Sequence, residues 1–289
     1  MSYDYYIGVI DEESVLAECG PMRLIIRAWN KGKPQIHLAH RAAEKSFMYL
    51  ERIARHRSEL SRPFPKIEAP PADALAIAMV QSVDAVGDFD LTPMAAVAGT
   101  IADAVADWLF GCGVTRAIVD NGGDISIRLL ENETVTVGIR SDVNDRKISH
   151  VVCLDAGQIT YGITTSGVGG RSFTKGIASA VTVLAARASV ADAASTAIAN
   201  ACFVEDSRIV QLPAEKIDPN SDLAGTLVTT EVGPLSSEKK LTAIKSAQKK
   251  AEYLLQKGVI IGAFIALGNQ FVITDGMQPY ISEVSETAG

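Results

Sequence analysis

The run from Met22 to Trp29 is rich in β-forming residues around Ile25-Ile26. Lys31-Gly32-Lys33-Pro34 then predicts a turn, and Gln35 to Leu38 a second short strand that closes a hairpin. From His40 to about Arg62 the apolar period lengthens. Ala43, Phe47, Leu50 and Ala54 recur at steps of four, three and four, which predicts a helix that Pro63 and Pro65 end. Pro70-Pro71 open a second helix over about Ala72 to Val86, and Pro93 starts a third that stops near Gly111 or Gly113. The middle of the chain reads as strands: Arg116–Val119, Ile125–Leu130, Thr134–Ile139, Ile148–Leu154, Gln158–Thr165 and Ala178–Ala186. An alanine-rich helix follows over Ser189–Ala201. A later one runs from about Ser237 to Lys257 with Leu241, Ile244, Ala247, Ala251 and Leu254 on one face and Gly258 as its stop. Val259–Leu267 and Gln270–Ile273, joined by Gly268-Asn269, predict a closing hairpin.

Helices interspersed with runs of consecutive strands, rather than alternating with them one for one, predict an α+β fold with a largely antiparallel sheet and packed helices. The 213–234 stretch, rich in Pro, Asp and Gly, is an irregular excursion. The expected organisation is a single domain over 1–289. Hydrophobic residues are 47% of the 289 and charged residues 21%, enough for a core and too apolar for a disordered chain. The net charge of −7 argues against a nucleic-acid or membrane-surface binder, but leaves room for a small anionic ligand, which needs only a local site. The start, Met1-Ser2-Tyr3-Asp4-Tyr5-Tyr6, has neither the basic residues nor the apolar run of a secretory signal. Cys19, Cys112, Cys153 and Cys202 have no zinc or redox spacing and read as buried free thiols. A cytoplasmic location is the expectation.

Four segments carry candidate chemistry. Asp120-Asn121-Gly122-Gly123-Asp124 lies between two strands, and its glycines let several N–H groups converge on an anion or a carbonyl-rich ring. The plain alternative is a tight hairpin. Thr164-Thr165-Ser166-Gly167-Val168-Gly169-Gly170-Arg171-Ser172 offers hydroxyls, glycines and one guanidinium to a phosphate, without being a Walker loop; a flexible turn explains it equally well. Asp192 and Thr196 are four apart, so on a helix their oxygens share a face suited to a hard cation such as Mg2+. Against that, Ser189 and Asp192 have capping-box spacing. Arg41–Arg62 carries six Lys or Arg against three Glu, which fits a solvated face, with a nucleotide pyrophosphate docking at the helix end as the alternative. None of the four histidines lies beyond residue 150, and no triad, zinc motif or kinase signature can be assembled.

Taken in order, the segments resemble the ApbE family, flavin transferases that use FAD and Mg2+ to attach FMN to a protein threonine. Ser58-Glu59-Leu60-Ser61-Arg62 is similar to that family's Ser-Glu-Leu-Ser-Arg turn, and Gly87-Asp88-Phe89-Asp90-Leu91-Thr92-Pro93 to its Gly-x-Phe-Asp-Pro-Thr stretch. Ala95 to Asp103 resembles its Ala-x-x-Lys-Gly-x-x-x-Asp segment, with Gly99 and Asp103 in register. Asn121-Gly122-Gly123-Asp124-Ile125 resembles its Asn-x-Gly-Gly-Asp-Ile signature, one residue shorter. Thr165-Ser166-Gly167 and Val181-Thr182-Val183 with Ala191-Asp192-Ala193 and Thr196 complete the series, which covers about residues 40 to 203. Two features depart from the pattern: Ala98 replaces a lysine, and Gly167–Ser179 stands where the family carries a long stretch with a His-Ile-Ile-Asp-Pro segment.

The resemblance implies an ApbE-like, T-fold-related α+β fold, FAD or FMN as a bound small molecule, and Mg2+ held by Asp192 and Thr196. The Asn121–Asp124 turn would meet the ring or ribityl part, and Thr165, Ser166, Gly167 and Arg171 the phosphates. No catalytic residue is assigned, because the histidine segment is missing and with it a proton-handling group. Two other readings stay open: flavin transfer retained through a substitute group, and a non-catalytic accessory protein, for which sulfur assimilation is a weak association. The edges of the closing hairpin leave room for a homodimer.

Overall fold

The computed structural model describes residues 4–67, 69, 71–130 and 132–284. The amino-terminal Met1-Ser2-Tyr3 and the helix-opening role expected of Pro70 therefore lie outside the described residues. Two strands that the sequence reading had not marked come first, β1 (Tyr5–Val9) and β2 (Val15–Cys19), followed by β3 (Met22–Asn30) and β4 (Lys33–Pro34). The expected hairpin is present, but its second strand is only Lys33–Pro34. Gln35 and Ile36 start α1 (Ile36–Arg55), so the predicted strand over Gln35–Leu38 is helix instead. A short α2 (Arg57–Leu60) precedes α3 (Ala74–Val86), and a 3-10 turn over Pro93–Ala96 leads into α4 (Val97–Gly111). Next are β5 (Arg116–Asn121), β6 (Ile125–Leu129), β7 (Thr134–Ile139), β8 (His150–Asp155), β9 (Thr160–Ser166) and β10 (Ala180–Ala185). The chain closes with α5 (Ala188–Ala201), β11 (Ile209–Pro213), α6 (Ala214–Ile217), β12 (Leu227–Val232), α7 (Ser237–Gln256), β13 (Gly262–Leu267), β14 (Gln270–Ile273) and β15 (Ile281–Glu283). The 213–234 excursion thus contains α6 and β12.

The chain groups into two compact units, each assembled from separate stretches. The first comprises 1–133, 155–164 and 185–193, and the second 134–154, 165–184 and 194–289. In the first unit the strands run β1-β2-β3-β5-β6-β9, every neighbouring pair antiparallel, with β4 added on β3. The two-residue period is clear in β3, where Met22, Leu24, Ile26 and Ala28 are buried and Arg23 is exposed. α1 packs on β2 and β3, and α4 on β5 and β6. α1 approaches through Ala39, Ala42, Ala43 and Ser46, residues small enough for a close fit. α3 is capped by Asp73, which accepts from the Leu75 N–H at 2.8 Å, and ends at Gly87 in the left-handed conformation with φ 64°. Pro93–Gly111 is long and apolar enough to cross a membrane by length and composition, yet half of it is buried in protein.

The second unit holds three antiparallel pieces: β10-β13-β14, the β11-β12 ribbon, and β15 on β8 with β7 beyond it. α7 packs on β13 and β14 through Ala243, Ile244, Ala247, Ala251 and Leu254. Leu241 had been assigned to that stripe but is 47% exposed. At 100° per residue it sits about 110° from the centre of the arc that the five buried positions define.

Candidate functional site

The first unit places the amino-terminal ends of α4 and α5 against each other, and glycine is what permits the approach. A Cβ on Gly99 of α4 would fall on the Ala188 carbonyl, and one on Gly162 of β9 would fall on the Ala188 backbone from the other side. Each helix then offers a carboxylate to the other. Asp103, on α4 and 2% exposed, accepts from the N–H of Ala188 at 3.2 Å and of Ser189 at 3.0 Å, the first turn of α5. Asp192, on α5, accepts from the Gly99 N–H at 2.9 Å and from that of Ala98, the first turn of α4. Two of the four N–H groups left open at each helix start are thereby satisfied, and each carboxylate faces the positive end of a helix dipole. α5 begins at Ala188, so Ser189 lies inside the first turn and the capping carboxylate comes from α4 instead of the local Ser189–Asp192 box.

Arg128 and Arg187 compensate this charge. Arg128, on β6 and 1% exposed, donates to Asp107 Oδ1 at 2.7 Å, Asp103 Oδ1 at 3.0 Å, Ser126 Oγ at 2.9 Å and its neighbour's carbonyl at 2.9 Å. Arg187 reaches Asp107 Oδ2 at 2.7 Å and Asp103 Oδ2 at 3.3 Å. Burial tends to raise the Asp107 carboxyl, but hydrogen bonds from Arg187 and Arg128 outweigh it and hold the group below the usual range. The groups that shift Asp192 are different. Burial, opposed only in part by the Gly99 and Ala98 N–H groups and reinforced by the charge of Asp103, pushes its carboxyl up to about 7. Asp107, Arg128 and Arg187 were missed in the sequence. Asp103 and Asp107, two acids one turn apart in an otherwise apolar helix, were the available signal.

Asn121, 6% exposed at the end of β5, donates from Nδ2 to the Ala98 carbonyl at 3.2 Å. Two sequence candidates, Asn121 and Asp192, therefore meet at Ala98–Gly99, where the resemblance had marked a Lys-Gly pair. The Asn121–Asp124 stretch is also the tight turn of the β5–β6 hairpin. Gly122 and Gly123 have φ of 70° and 108°, the Gly123 N–H bonds Asp120 Oδ1 at 2.8 Å, and the Asn121 N–H bonds the Asp124 carbonyl at 3.0 Å.

The second unit holds the other candidates. Thr165 Oγ1 lies 2.8 Å from Thr182 Oγ1, and Gly167 passes close to the Ser179 carbonyl. The Ser166 hydroxyl is 5% exposed and has no hydrogen-bond partner among the described residues. Gly167 and Gly170 close a turn at 3.1 Å, and Arg171 is exposed. Thr196 lies one turn beyond Asp192 along α5. No group of three or more His, Cys, Asp or Glu side chains suited to a metal occurs among the described residues.

Residues 9–273 match the family model described as AbpE bacteria. A UPF0280 protein of Methanopyrus kandleri is 36% identical over 189 residues, 61% of this chain and 73% of that protein. One of Methanosarcina barkeri is 34% identical over 170 residues, 57% of this chain and 65% of that protein, so the match spans just under two thirds of the latter. Among solved structures, the apo form of Pseudomonas stutzeri flavinyl transferase ApbE aligns over 97% of this chain and 98% of its own, with a TM-score of 0.50 and 14% identity. That likeness supports the ApbE-like α+β fold expected from the sequence.

Proposed function

The chain belongs to the bacterial AbpE family, and from that premise we propose that it binds a flavin nucleotide, FAD or FMN, or a similar phosphate-bearing ligand, together with Mg2+ at Asp192 and Thr196. The observation that carries the reading is the meeting of Asn121 and Asp192 at Ala98–Gly99. Two segments far apart in sequence, each singled out for ligand chemistry, come together at the start of α4.

The donor set fits the metal. Both side chains offer hard oxygen, and Mg2+ is commonly held by one or two carboxylates with the remaining positions taken by water and substrate phosphate. A cation beside Asp192 would also offset the burial that raises its carboxyl to about 7. The metal, when bound, supplies positive charge to phosphate oxygens. Asp192 would orient it through its carboxylate, the hard anionic donor of the pair. The ligand is taken to be a cytoplasmic small molecule rather than nucleic acid or membrane, in keeping with the net charge of −7.

Equilibrium binding of FAD and of FMN to the purified chain, with and without Mg2+, tests this. Binding is expected to tighten with Mg2+, and Asp192→Asn, which keeps an acceptor for the Gly99 N–H, is expected to lose at least tenfold in affinity while its circular dichroism spectrum stays that of the parent. Equal affinity in the variant and the parent sinks the proposed site. AMP appearing on incubation with FAD would extend the reading from binding to flavin transfer.

A further inference from the structure

β1 is the outer strand of the first unit's sheet and lacks three of the devices that protect an edge, namely charged side chains, proline and a bulge. Tyr5-Tyr6-Ile7-Gly8-Val9 contains no charge and no proline, and its pairing with β2 is in continuous register without a bulge. Tyr5, Tyr6 and Val9 are 72%, 57% and 59% exposed. On the α1 side, the Tyr5 ring lies 5.4 Å from Phe47, and Met48, the next residue, is 53% exposed. Tyrosine and methionine are enriched in protein interfaces.

We propose that β1 pairs antiparallel with β1 of a second copy about a two-fold axis at Ile7, joining two sheets edge to edge. The occupant follows from the residues themselves. In this register Tyr5 faces Val9, an aromatic against a β-branched side chain, which is a favourable cross-strand pair. Tyr6 faces Gly8, a position with no side chain of its own. The Tyr6 ring already lies over Gly8 of its own strand, where a Cβ on the glycine would strike it. Asp4 faces Ile10, so no like charges oppose each other from residue 4 to residue 10. An isologous contact of this kind needs no feature that the chain lacks. It is independent of the flavin reading.

Sedimentation equilibrium of the full chain tests it. A reversible dimer is expected at about 100 μM protein, since a five-residue edge with a few flanking side chains is at the weak end of specific interfaces. Ile7→Lys would set two like charges on the axis, and Val9→Lys a charge against Tyr5. Each is expected to raise the dissociation constant at least tenfold, and Val9→Lys, at an exposed position, should leave the thermal melt unchanged. In a Cys112→Ser, Cys153→Ser background, Ile7→Cys is expected to give a disulfide-linked dimer on oxidation, because directly opposed residues of antiparallel strands lie within disulfide reach. Phe271→Cys, on the exposed side of β14, should not. A monomer at that concentration, a dimer indifferent to both lysines, or cross-linking through position 271 instead of position 7 overturns the proposal.

Discussion

Arg128 is the side chain on which the first unit's polar interior depends. Four hydrogen bonds leave a guanidinium that is 1% exposed, and two of them neutralise Asp103 and Asp107. Breaking a buried pair by removing one partner costs far more than the pair contributes net, because a charge is left behind without compensation. Arg128→Met is therefore expected to lose about 3 kcal/mol of stability in urea titration. Arg128→Lys should recover little, since a single ammonium cannot reach both carboxylates and Ser126 from one fixed plane. A loss under about 1 kcal/mol would mean that Arg187 carries the compensation alone. At this scale the candidate site was partly legible. Asn121 and Asp192 stood out by type and spacing, whereas the capping of one helix by the other's carboxylate has no signature in the local sequence.

At the scale of elements, helix ends were read best, because caps are local chemistry. Gly258 follows α7 as the expected stop with φ of 69°, and Gly87, which had not been marked as a stop, ends α3 in the same way with φ of 64°. Asp73 at the start of α3 also holds Arg52 of α1 through two hydrogen bonds, at 2.9 and 3.1 Å, and that arginine keeps its carboxyl below the usual range. Asp73→Ala is expected to cost about 1–2 kcal/mol and Asp73→Asn clearly less, since asparagine still caps. Equal losses in the two variants, measured by thermal melting, would assign the effect to the ion pair instead. Helix faces were read less well. The expected stripe on α1 ran through Ala43, Phe47, Leu50 and Ala54, but the buried residues are Ala39, Ala42, Ala43, Ser46 and Ile53. That face is rotated by about 60°, because the small side chains let the helix settle closer to the strands than the large ones would.

For the molecule as a whole, pH dependence offers a test of the second unit. His150, 4% exposed, packs its ring 4.8 Å from Phe264 and 5.1 Å from Phe271. Burial lowers its pKa below 6.5, and Glu283 opposes the shift only in part. The unfolded chain therefore takes up this proton more readily than the folded one. The stability contribution is complete above pH 6.5 and is lost as pH falls below it, through the range between the two pKa values. Melting temperature is expected to drop from pH 7 to pH 5 more steeply in the parent than in His150→Phe; parallel curves would refute this. The sequence by itself determined the α+β class, the order of most helices and strands, the turns at glycine and proline, and the family resemblance, all of which rest on contacts and periodicities within a few residues. The tertiary structure alone decided that β1 is an exposed edge, that Asp103 and Asp192 cap each other's helices, and that Arg128 is buried between two carboxylates. Those facts depend on which distant backbones approach, and Gly99 and Gly162 permit that approach by lacking a side chain.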